Sequence, residues 1–166
     1  MILKKLTKIV PLKEVIKKIN ESDRDEALEE IGEYLLQSIL SNVGGGKSPV
    51  QGGKYKKSLS KEYKKVKAKI SGSKIANMEL YGDMLDELDY KIDPIGMKVE
   101  IGFLEGSDEK QIAKADNHNK FSPESKKTKL PTRQFIPKSN QRFKKNIMKQ
   151  AFEIASKYAS EDQEEA

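Results

Sequence analysis

Ala27, Leu28, Ile31, Leu35, Ile39 and Val43 recur at intervals of three and four. That spacing puts them on one face of an α-helix. Ser22 followed by Asp25 marks a capping-box variant near the start. Gly44, Gly45 and Gly46 mark the end, because glycine accepts the left-handed backbone found just past a helix C-terminus. A stripe this long must be covered, so the chain has to supply another layer. Phe143, Ile147, Ala151, Ile154, Ala155 and Tyr158 form a second helical stripe, with Ser139 or Asn140 as its cap.

The middle of the chain changes period. Leu88, Tyr90 and Ile92 alternate with polar neighbours, and so do Met97, Val99, Ile101 and Phe103. "DPIG" between them is a turn signal, so the two runs read as a half-buried hairpin with Lys91, Lys98 and Glu100 facing out. "NMELYGDMLDEL" leads into it as a short helix, and "DEKQIAKADNH" follows it as another. Near the N-terminus, Pro11 suits the first turn of a short helix, with Leu12, Val15, Ile16 and Ile19 on one face. "MILKKLTKIV" reads equally as an edge strand or as the start of that helix. Helices and strands are segregated along the chain. The expected class is α+β: a small antiparallel sheet packed against a long N-terminal and a long C-terminal amphipathic helix.

At 166 residues the chain is expected to form a single domain, 1–166. Only 36% of residues are hydrophobic and 35% are charged, which limits the core. The absence of cysteine excludes disulfides, thiolate metal sites and a cysteine nucleophile. No apolar run approaches a membrane span, so the chain reads as soluble, with no membrane partner. The net charge of +6 raises the expectation of nucleic-acid or acidic-surface contacts. Lys54, Lys56, Lys57, Lys61, Lys64, Lys65, Lys67 and Lys69 crowd one stretch, with Tyr55 and Tyr63 among them and only Glu62 opposing. Residues 44–69 therefore read as a flexible arm, 119–130 as an exposed loop, and 160–166 as an acidic tail.

"SNVGGGKSPV" resembles the end of a phosphate-binding loop. Gly46, Lys47 and Ser48 fill its last three places, but Ser41 stands where the first glycine is required. A helix precedes the glycines where a strand should, so a nucleotide site is not expected. His118 is the only histidine, and Asp116 beside it completes neither a triad nor a metal site. Carboxylate pairs such as Asp83 with Asp86, or Glu29 with Glu30, lie on helix surfaces with nothing to drive their acidities apart. The chain is expected not to be an enzyme and to need no cofactor or metal.

The order of features resembles the virion morphogenesis and tail-completion proteins of tailed phages, which act at the head–tail neck. Tyr81, Gly82 and Leu85 match that family's glycine–leucine turn, and Ile101 and Gly102 match its strand end. Ala115 and His118 match its Ala-x-x-His helix, and Pro131, Arg133 and Phe135 its Pro-x-Arg-x-Phe signature. Lys114 stands where the family often has an aromatic residue, and the middle segment has no tryptophan. The likeness spans about Ala27 to Tyr158.

The resemblance implies a structural virion protein, assembled in the host cytoplasm as a ring of copies, a hexamer by expectation. Such a ring joins head-completion or stopper proteins to the tail terminator or tail tube, and DNA passes through its lumen. Lys47, Lys54, Tyr55, Lys56, Lys57, Lys61, Tyr63, Lys64, Lys65 and Arg133 are the expected interface residues. Tyr81, Gly82, Leu85, Pro131 and Phe135 are the expected structural anchors. Non-specific contact with DNA in the lumen stays open. The alternative is a basic protein that binds nucleic acid without sequence preference.

Overall fold

The computed structural model describes residues 6–55, 59–72, 74 and 83–164. Lys56, Lys57, Tyr81, Gly82 and the end of the acidic tail lie outside them, as do the side chains of 160–164. The fold is α+β, with a long helix toward each end of the chain and a three-stranded antiparallel sheet between.

Strand β1 (Thr7–Pro11) resolves the N-terminal ambiguity in favour of a strand. It pairs with β3 (Lys98–Gly102), which also pairs with β2 (Asp89–Asp93), giving the order β1-β3-β2. Pro11 closes β1 instead of opening a helix. An edge strand tolerates proline because one side of its ladder is unpaired. The chain then turns through α1 (Lys13–Ile16), fixed where the Leu12 N–H donates to the Met97 carbonyl at 3.0 Å.

The expected hairpin joins β2 to β3 through residues 94–97. The Gly96 N–H donates to Asp93 Oδ1 at 2.8 Å. A side chain at Gly96 would strike that carboxylate, so glycine serves close approach here, while Met97 takes the left-handed backbone at φ 54°.

Helix α2 (Glu21–Gly44) buries Ala27, Leu28, Ile31, Leu35, Ile39 and Val43, the stripe read from the sequence. It starts earlier than the Ser22 signal suggested. Its cap is Asn20, because buried Ile19 already fixes the chain's entry, and Ser22 lies inside the first turn. Gly32 packs on Tyr90 of β2, where an added Cβ would lie 2.3 Å from the ring. Thus α2 seats on the sheet through its smallest residue.

Helix α7 (Lys145–Glu164) packs along α2 and α1 and buries Ile147, Ala151 and Ala155. Ser139 and Asn140 do not cap it. They sit in a turn whose carbonyls Lys8 gathers, its ammonium donating to Lys138, Ser139 and Gln141 at 3.0, 3.3 and 2.7 Å.

The remaining helices are α3 (Lys61–Ser71), α4 (Asp83–Asp86), α5 (Glu109–Asn119) and α6 (Pro123–Lys126). No helix among the described residues is long and apolar enough to cross a membrane.

Candidate functional site

Pro131 to Pro137 has no regular secondary structure, yet Arg133, Gln134, Phe135, Ile136 and Pro137 are all buried. Buried backbone without a ladder must find other partners. The Arg133 N–H donates to the His118 carbonyl at 2.9 Å. The N–H groups of Phe135 and Ile136 both donate to Asn119 Oδ1, at 2.9 and 3.0 Å. Asn119 is itself fixed, since its amide nitrogen donates to the Ala115 carbonyl at 2.8 Å. The Gln134 carbonyl accepts from Ser48 Oγ at 2.8 Å and from the Tyr55 hydroxyl at 3.3 Å. Phe135 meets Phe103 edge-on, with ring centres 6.3 Å apart.

These contacts bring the scattered motifs together. Ala115, His118 and Asn119 come from α5, and Phe103 comes from just past Gly102 at the end of β3. Gly102 has φ 138°, and a Cβ there would lie 2.1 Å from the Leu6 carbonyl oxygen. That contact leaves space for no other residue where β1 leads in. Ser48 comes from the glycine-rich stretch after α2. The segment 46–55 is folded back by an isolated bridge between Lys47 and Lys54 and seats Ser48 at 4% exposure. So the first part of the expected arm is a packed hairpin. The hydrogen bond from Ser48 to Gln134 and that from the Lys144 N–H to the Pro49 carbonyl, 2.9 Å, hold it down.

Residues 119–130 also differ from the exposed loop expected. Asp116 Oδ1 accepts from the N–H groups of Phe121 and Ser122 at 3.1 and 3.0 Å and from Ser125 Oγ at 3.3 Å, while Ser122 Oγ donates to its second oxygen. Lys120, left-handed at φ 59°, turns its ammonium inward to the Ser125 carbonyl at 2.8 Å and to Thr128. A carboxylate and an ammonium thus organise α6 from within, though nothing in the spacing announces it.

Charge is concentrated beside this knot. Burial pulls the His118 imidazole down to about 4, helped by the Arg133 and Lys120 cations, so it is neutral at pH 7. Its Nδ1 is buried and has no hydrogen-bond partner among the described residues. Burial pushes the Tyr55 phenol up, partly offset by Arg133. Burial also lowers Arg133, and Tyr55 and Tyr63 oppose that shift. Arg133, expected at an interface, is 7% exposed within the chain. Among the described residues no group of three or more acidic or histidine side chains is placed to hold a metal. The arrangement organises backbone, and its chemistry is hydrogen bonding.

The lysine-rich stretch does not stay an arm to its end. Lys61 to Ser71 is α3, capped where Ser60 Oγ accepts from the Tyr63 N–H at 3.2 Å and stopped by Gly72 at φ 69°. A serine cap, a glycine stop and apolar Tyr63, Val66 and Ile70 at helical spacing were the signals for it. Lys47, Lys54, Lys61, Tyr63 and Lys65 are exposed, Tyr55 and Lys64 half-buried. Lys67 is 2% exposed, which no sequence signal distinguishes. Of the expected anchors, Phe135 and Leu85 are buried and Pro131 is half-buried.

No protein-family model, no curated protein and no solved structure matches the chain.

Proposed function

We propose that the chain is a structural subunit of the head–tail neck of a tailed phage, acting as a ring of copies around the DNA path. One observation carries the reading. Ala115–His118 and Pro131–Phe135 were matched by their order along the chain, and they meet at one packed knot, to which Phe103, the residue after the Ile101–Gly102 strand end, adds its ring. Two short patterns that pack together, with the third ending beside them, are what a shared family core requires. Segregated surface charge also suits a subunit that joins neighbours.

The work is mechanical. Complementary faces hold subunit to subunit, and the ring's ends meet head-completion proteins and the tail terminator or tail tube. Exposed Lys61, Lys65 and Lys69 favour a second reading, a basic protein that holds nucleic acid through phosphate contacts.

Negative-stain microscopy of the purified chain, beside duplex-DNA binding across a salt series, separates the two. Discrete rings with a central opening are expected. A monomer that binds duplex DNA with affinity falling steeply in salt contradicts the neck reading and favours the second.

A further inference from the structure

Strand β1 is an open edge of the sheet, since it pairs only with β3. The Phe103 N–H donates to the Leu6 carbonyl at 2.9 Å, and the Leu12 N–H to the Met97 carbonyl at 3.0 Å. In an antiparallel pair, residues bonded in this way alternate with residues whose backbone points the other way. The register therefore turns the backbone of Lys8 and Val10 toward β3 and that of Thr7, Ile9 and Pro11 away from it. Thr7 and Ile9 each offer an N–H and a carbonyl outward, and Pro11 a carbonyl alone. No hydrogen bond among the described residues engages these groups.

A groove of about 410 Å³ runs beside this edge. Lys8 to Pro11 and Ser139 to Phe143 line it, with Met148 and Phe152, one turn apart on α7. No residue of β3 lines it, so it lies on the outer side of β1. Val10 and Phe143 are buried and Met148 and Phe152 half-buried, which makes one part of the groove apolar. A second groove, of about 300 Å³, shares Ser139 and continues past Thr7 to Lys138. Charge here has one sign. Lys8, Lys138 and Arg142 border the grooves, and no ion pair among the described residues engages them. The Lys8 ammonium already donates to the carbonyls of Lys138, Ser139 and Gln141. Burial, and then the Arg142 cation, pull that ammonium below its usual value. Arg142 is exposed, and no described hydrogen bond holds its guanidinium.

We propose that β1 takes an extended segment of another protein as an added strand, with an apolar side chain over Phe143, Met148 and Phe152 and a carboxylate two residues away against Arg142. Side chains two apart in a strand share a face. The added residue beside Val10 meets the apolar part of the groove, and the one beside Lys8 meets the cations. Backbone hydrogen bonds to Thr7, Ile9 and Pro11 supply affinity, and the alternate side chains supply selection. Charge selects the occupant. A second copy of β1 would set Lys8 and Arg142 against their own like charges, and an inward-pointing lysine with an edge proline discourages such pairing. A phosphate backbone would meet the cations but has no donors for the outward carbonyls.

The probe is a capped heptapeptide with valine at its centre, glutamate two residues to either side and threonine elsewhere. Its symmetry lets either strand direction place valine beside Val10 and glutamate beside Lys8. Fluorescence anisotropy of the labelled peptide with the intact chain should show saturable binding, and amide exchange at Thr7 and Ile9 should slow when it is bound. Ile9→Pro removes an outward N–H and no bond to β3, and it should abolish binding. Arg142→Glu changes an exposed side chain and should weaken binding about tenfold or more. Circular dichroism checks that both variants stay folded, and Arg142→Glu keeps the test decisive if Ile9→Pro does not. Aspartate in place of the central valine should also abolish binding.

No binding up to about 1 mM peptide, or equal binding by the parent and Arg142→Glu, overturns the proposal. So does protection of Thr7 and Ile9 that grows with the concentration of the chain alone, which would put a second copy on the edge. Protection by duplex DNA in place of the peptide overturns it as well. Failure here leaves the ring reading untouched, and a monomeric chain leaves this binding untouched.

Discussion

Gly32 lies inside a helix, where alanine would ordinarily be preferred by roughly 0.5–1 kcal/mol. Here the sign reverses. A Cβ at Gly32 would sit 2.3 Å from the ring of Tyr90 on β2, against which α2 packs. Gly32→Ala should therefore destabilise the chain by roughly 1–3 kcal/mol, the range for overpacking, measured as a lower urea midpoint at unchanged slope. Asn119 serves two backbone donors and one acceptor, so Asn119→Ala should cost roughly 2–4 kcal/mol by the same measurement.

His118 gives a pH prediction with a definite sign. Its pKa falls from 6.5 to about 4 on folding, so the unfolded chain binds the proton more readily between those values. This contribution is fully present above pH 6.5, is lost progressively as pH falls, and is gone below about 4. Across that window it amounts to about 3 kcal/mol. Titrating the single histidine resonance by NMR should give a midpoint near 4. A midpoint near 6.5 would show the ring to be solvated. The sequence singled out His118, Arg133 and Phe135 but could not show that they meet. Asn119, Ser48 and Asp116 carry more of the hydrogen bonding, yet polar residues in loops look alike until the backbone they serve is known.

At the scale of elements, periodicity was most informative where one face is fully buried. The stripe of α2, that of α7 from Ile147 on, and the alternation of β2 and β3 lie where the spacing puts them, while Phe143, read as the first residue of the second stripe, is buried just before α7 begins. Boundaries moved where tertiary contacts outweighed local caps: Lys8 holds the Ser139 turn, and buried Ile19 sets the start of α2. Helix α3 was hidden because its dominant signal is charge, and its apolar residues do not face the core.

The glycine-rich stretch after α2 changed most in meaning. As a free linker it would be dispensable, but Ser48 is buried against Gln134 and the Pro49 carbonyl is bonded to Lys144. Ser48→Ala should cost roughly 1–3 kcal/mol, because it removes one buried partner of the Gln134 carbonyl. Deleting 44–53 should lower stability further, both read by thermal melting. A deletion as stable as the parent would show that the hairpin is only draped on the core.

For the whole molecule, the chain is a small α+β core whose surface charge is sorted, carboxylates along α2 and lysines along α3. The neck reading has one direct consequence: copies associate with a fixed number per assembly. Native mass spectrometry of the intact chain over a range of concentrations measures this most directly. The account predicts one dominant assembly of a single copy number, a hexamer by expectation, which does not grow further as concentration rises. A monomer at every concentration, or open-ended growth without a preferred size, would contradict it.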